Sequence, residues 1–142
     1  MTPCDDMTLC DDMTYPIRDI YAYPPEVYNP HMGHFQVPAR LTGPTGRSEE
    51  VELFVDTGTT LVVLPRSLAD RLELVAKRRQ LVSLAGRAEE MWPVAEIRVA
   101  IVPTLCLIAP EGAPLLGVVA LESLFLAVDP VNQRLVPAQG FA

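Results

Sequence analysis

Positive charge is scarce in this chain. Eleven Lys and Arg face eighteen Asp and Glu over 142 residues, giving a formal net charge of −7 and a pI near 4.7. Nucleic-acid binding needs dense positive charge on one face, so no nucleic-acid partner is expected. Cysteine is scarce too. Cys4, Cys10 and Cys106 are too few and too irregularly placed for a disulfide framework, and Cys106, within the apolar run Leu105–Ile108, reads as a small core residue. Long hydrophobic runs are missing: the longest, Leu115–Val128, is too short for a membrane span and is broken by Glu122. The first dozen residues hold four aspartates instead of a basic and apolar leader. These absences point to a soluble, cytoplasmic protein with no membrane partner. No Gly-rich phosphate loop, Ser/His/Asp set or HExxH occurs, so neither cofactor nor metal is expected.

What is present is a chain the size of one domain, nearly half apolar, with fourteen prolines that favour many short elements over long helices. Its charge is uneven, since residues 1–31 contain six acids and one arginine. That segment opens on a short repeat, Cys4-Asp-Asp-Met-Thr8 and Cys10-Asp-Asp-Met-Thr14, and continues through four tyrosines among four prolines. The cysteine spacing matches no common zinc pattern and no nearby histidine completes a tetrahedron. Residues 1–31 are therefore expected to be a disordered or extended acidic tail, and residues 32–142 the folded domain. His31 and His34 flank that boundary as surface residues.

From Phe35 onward the pattern is β. Phe35, Val37, Ala39 and Leu41 alternate with polar or small residues; Thr42–Gly46 is a turn; Val51, Leu53 and Val55 complete a hairpin. Leu61–Leu64 predicts a strand ended by Pro65, and Ser67 with Asp70 predicts a capping-box helix over 66–73. Lys77-Arg78-Arg79 reads as a solvated loop. Gln80–Leu84 and Trp92–Val102 predict a second hairpin turning at Ala85-Gly86-Arg87, and Leu105–Ile108 a further strand. A short helix is expected around Ala120–Leu124, then strands at Phe125–Val128 and Arg134–Val136 joined by a turn at Asp129–Asn132. Trp92 fits either core packing or a groove wall.

The chemistry sits at the end of the second strand, where Asp56-Thr57-Gly58 is followed by Thr59. A carboxylate closing a buried strand on a Gly-permitted turn can act as acid or base on water. Two such carboxylates about 3 Å apart cannot both ionise and share a proton, so one can activate water while the other protonates the scissile carbonyl. Thr57 and Thr59 supply hydroxyls able to bond a neighbouring chain and the carboxylate. Only one Asp-Thr-Gly occurs here, so this chemistry requires two chains. Alone, the tripeptide is also an ordinary strand-ending turn.

Together with the Val51–Val55 strand, Thr59, the Gly86 hairpin and Leu115-Leu116-Gly117 about sixty residues on, the motif resembles the retropepsin-like (retroviral-type) single-domain aspartic proteases, in their bacterial form. The resemblance covers about residues 33–137. It implies a mainly β, small closed barrel-like acid protease fold with one or two short helices, built as a two-fold symmetric homodimer. It implies an aspartic endopeptidase with Asp56 from each subunit in the catalytic dyad, acting on an extended peptide or protein. Ala85, Gly86 and Arg87 would form the tip of a flap over that peptide, with Thr59 beside it. Leu115, Leu116 and Gly117 would pack under the catalytic loop and wall the pocket. Two rivals stay open: a non-catalytic peptide-binding or dimerisation module on the same fold, and a small monomeric β domain carrying the motif by chance.

Overall fold

The computed structural model describes residues 35–84 and 89–140. The expected acidic tail, with Cys4, Cys10, His31 and His34, and the hairpin tip Ala85, Gly86 and Arg87 lie outside the described residues.

Alternation sets the first hairpin. β1 (Gln36–Thr42) buries Val37, Ala39 and Leu41 and pairs antiparallel with β2 (Ser48–Val55), which buries Leu53 and Val55. β3 (Val62–Pro65) is apolar on both faces, as befits a strand covered on both sides. β4 (Ala76–Ser83) and β5 (Glu89–Val99) form the second hairpin, and β5 turns back into β6 (Val102–Ala109). β7 is the dipeptide Leu115–Leu116, parallel to β2 and antiparallel to β3. β8 (Leu126–Asp129) and β9 (Arg134–Pro137) make a separate two-stranded ribbon. α1 spans Arg66–Arg71 and α2 Val118–Ser123.

The main sheet runs β1-β2-β7-β3-β6-β5-β4, and β1 also pairs with β5 through Leu41 opposite Val99 and Thr42 opposite Arg98. Six strands therefore close into a ring-like sheet, and β4 projects beyond it, bonded to β5 alone. Inside the ring lies the main core, where Leu41, Leu53, Leu64, Ile108 and Leu116 meet Leu68 and Leu121 from the helices and Leu72 just after α1. At about 25 cal/mol per Å² of apolar surface, each such leucine contributes roughly 2 kcal/mol on burial. A smaller cluster, Val63, Val94, Leu107 and Ala109, occupies the opposite side of β3, β5 and β6.

The mainly β class with two short helices matches the sequence expectation. Three local readings do not. The α1 start is not a capping box: Pro65 is the N-cap and no side chain bonds the free amides, because Ser67 already lies inside the first turn. Lys77, Arg78 and Arg79 belong to strand β4, not a loop; they are exposed because β4 is the outermost strand. Trp92–Val102 is not one strand, since the chain reverses at Ala100 and Ile101. Ala100 takes φ 54° and leaves Ile101 exposed, although Ile101 continues the apolar alternation. Among the described residues no helix is long and apolar enough to cross a membrane.

Candidate active site

β2 delivers Asp56 to the edge of the ring. The last strand residue, Val55, is buried in the main core, so the next residue emerges half-exposed at the end of the ladder. Bonds to neighbouring segments hold the end of the strand in place up to Asp56. Phe54 N–H donates to the Pro114 carbonyl at 3.0 Å, Val55 N–H to Phe35 at 2.8 Å and Asp56 N–H to Leu116 at 3.0 Å. A tight turn follows, closed by Thr59 N–H donating to the Asp56 carbonyl at 3.1 Å.

Both carboxylate oxygens of Asp56 are held by that turn. Gly58 N–H donates to Oδ1 at 2.9 Å, and the Thr59 hydroxyl donates to Oδ2 at 3.0 Å. Gly58 has no left-handed backbone; its role is proximity, since a Cβ there would lie 3.3 Å from Asp56 Oδ1. Thr57 is exposed on the same turn. Two hydrogen bonds, one to each oxygen of the carboxylate, fix its plane, which matters because small misplacements of a reacting group are costly in rate.

Leu115-Leu116-Gly117 meets this turn directly. Leu116 is buried in the main core, and what it offers the site is its carbonyl. Gly117 is pressed against the same loop: a Cβ on it would stand 2.4 Å from the Leu61 carbonyl oxygen and 2.6 Å from that of Thr59. The first amides of α2 complete the junction, Val118 N–H donating to Thr59 and Val119 N–H to Thr60 at 2.8 and 2.9 Å. Leu115 points the other way and packs half-exposed on the second cluster. Of the expected site residues, then, Asp56, Gly58, Thr59, Leu116 and Gly117 form one bonded unit with Thr57 on its exposed turn, Leu115 flanks it, and Ala85, Gly86 and Arg87 are not described.

The sequence reading missed the apolar face beside this unit. Leu61, Leu115, Leu105, Trp92 and Val82 are half-buried against Val63, Val94 and Leu107, a surface that runs from the Asp56 loop to the β4–β5 hairpin. The signal was available: Leu61–Leu64 and Leu105–Ala109 are apolar at every position, so one side of each strand had to line something other than the main core.

The aspartyl protease family, of the retropepsin-like type, matches residues 37–114, from β1 to the residue before β7. The chain belongs to this family. No curated protein matches the chain. The matched span of this aspartyl protease contains the Asp-Thr-Gly turn, the β4–β5 hairpin and all of the apolar face but Leu115. It stops short of Leu115-Leu116-Gly117, whose place beside the turn rests on the hydrogen bonds above. Among the described residues no group of three His, Cys, Asp or Glu side chains gathers as metal ligands. Asp129, another carboxylate at a strand end, staples a turn. It accepts from the Asn132 side chain and amide, from Val131 N–H and from Arg134, and those bonds, the Asn132 side chain first, hold its carboxyl below the usual range.

Proposed function

We propose that this aspartyl protease is an endopeptidase active as a homodimer, hydrolysing extended peptides at a dyad formed by Asp56 of each subunit. The observation that carries the reading is a carboxylate at the end of β2, oriented by the Gly58 amide and the Thr59 hydroxyl, in a chain with a single Asp-Thr-Gly.

One such group can hold or release one proton, whereas peptide hydrolysis needs a base for water and an acid for the carbonyl at the same moment. A second copy related by a two-fold axis supplies the missing partner, and two neighbouring carboxylates divide a single proton between them. The charged member accepts a proton from water as that water attacks. The protonated member donates to the carbonyl oxygen, giving a tetrahedral diol. Its collapse returns protons through the same pair and expels the amine. The half-buried apolar face from Leu61 to Trp92 supports binding of substrate side chains next to the reacting bond. Asp56→Asn keeps an oxygen to accept from the Gly58 amide and turns an NH2 toward the Thr59 hydroxyl, which can accept in its turn, while removing the acid. It is expected to leave melting temperature and dimer mass unchanged and to abolish cleavage of an unstructured protein substrate. Unchanged cleavage by purified Asp56→Asn contradicts the proposal, and absence of cleavage by the wild type leaves a binding module.

A further inference from the structure

The β4–β5 hairpin carries a carboxylate on the side that bears the second apolar cluster. Strand alternation puts Glu90, Trp92 and Val94 on one side of β5. Across the ladder Val82 stands opposite Glu90, and Gln80 opposite Trp92, so Val82 shares that side. Val94 belongs to the cluster with Val63 and Leu107, and Val82, Trp92 and Leu115 pack against it. Glu90 is therefore a carboxylate at the outer end of an apolar surface whose inner end is the Asp56 loop.

Its head is not loose. Trp92 Nε1–H donates to Glu90 Oε1 at 2.9 Å, which uses one oxygen and fixes the carboxylate beside the indole ring. Arg78, on the same side, is bonded to Gln80 and stands opposite Val94. Four residues of strand separate that position from Glu90, about 13 Å at 3.3 Å per residue and beyond the Debye length at physiological salt. Neighbouring Glu89 lies on the other side of the strand, near the Ser83 hydroxyl. Arg79, on the opposite side, spends its guanidinium on the Met91 carbonyl at 2.9 Å, and none of the ion pairs among the described residues involves Glu90. A carboxylate pinned next to an indole, above apolar surface, suits a long side chain with an apolar stem and a cationic head. The stem lies on Val82 and Trp92, and the head meets the carboxylate and the ring face together.

We propose that Glu90 and Trp92 form a subsite for a lysine or arginine side chain of the peptide taken at the Asp56 site. This rests on the peptide-hydrolase reading above, so the test is one that needs no catalysis. Trp92 is the sole tryptophan of the chain, and its emission reports on the subsite itself. Full-length Asp56→Asn protein is titrated with extended apolar peptides carrying one arginine at successive positions, each matched to a norleucine control. At one position arginine is expected to bind about tenfold tighter than norleucine, with the difference shrinking at high salt. That preference disappears in Asp56→Asn/Glu90→Gln and turns toward glutamate in Asp56→Asn/Glu90→Arg. No arginine preference at any position, or one that survives Glu90→Gln, overturns the subsite. A preference found in a protein whose wild type cuts nothing supports the subsite and counts against the hydrolase alone.

Discussion

Gly117→Ala isolates the contact between the Asp56 turn and the segment that buttresses it. Gly117 has φ −91° and ψ 179°, backbone that alanine adopts freely, so the substitution brings no conformational strain of its own. Its entire cost is overlap, because the added Cβ would meet two backbone carbonyls, that of Leu61 at 2.4 Å from its oxygen and 2.8 Å from its carbon, and that of Thr59 at 2.6 Å from its oxygen. Backbone cannot rotate away as a side chain can. Relief requires the 59–61 loop and the start of α2 to part by close to 1 Å. That movement breaks the Val118–Thr59 and Val119–Thr60 hydrogen bonds, at about 1 kcal/mol each. Residual overpacking adds about 1 kcal/mol, for a total near 3 kcal/mol. In a domain of this size the melting temperature should fall by about 10 °C. Thr59 moves with its loop, so the hydroxyl that orients Asp56 is displaced, and the rate should fall about 10²-fold even below the melting transition. Gly112→Ala is the control. It has φ +115° and open space around it, so it should cost about 1 kcal/mol and leave cleavage intact. Scanning calorimetry and cleavage of a quenched peptide measure both effects. Wild-type melting and turnover in Gly117→Ala would refute the reasoning.

Two further substitutions or probes follow from the same contacts. Thr59→Val removes the hydroxyl from Asp56 Oδ2 at nearly constant volume. It should slow peptide cleavage at least about tenfold while costing about 1 kcal/mol of stability, and Thr59→Ser should restore most of the rate. Burial pushes the Cys106 thiol up to about 12, so iodoacetamide at mildly alkaline pH should spare it in the native protein and modify it in denaturant, as read by peptide mass mapping. A thiol that keeps its proton in the fold and loses it when unfolded lowers stability as pH climbs from the ordinary thiol range toward that value, so chemical denaturation midpoints should decline over that window.

The parts of the molecule legible from residues alone were those governed by local periodicity. Val37, Ala39 and Leu41 against Leu53 and Val55 announced the first hairpin, and its end placed Asp56 correctly on a turn. The Asp56–Thr59 bond also followed from spacing, since a hydroxyl three residues on reaches back across a tight turn. What escaped depends on tertiary neighbours. Ile101 continued the apolar alternation of β5, yet Ala100 turns the chain there, because pairing of β5 with β6 and with β1 outweighs one exposed isoleucine. Lys77–Arg79 looked like a loop because an outermost strand with one bonded edge carries no buried alternation to betray it. Leu115–Leu116 was recognisable as a motif but not as a strand. Two residues have no period, and their extended form comes from β2 and β3 on either side. The apolar face from Leu61 to Trp92 needed the whole sheet, since its members come from five different strands and the approach to one of them.

The pairing of two Asp56 carboxylates is tested most directly by mixing subunits. Wild-type and Asp56→Asn chains are unfolded together, refolded at varied ratios and assayed for cleavage at constant total protein. If each active centre takes one aspartate from each chain, activity falls as the square of the wild-type fraction, to about a quarter in an equal mixture. A linear decline, to about half, would show that a single subunit cuts by itself.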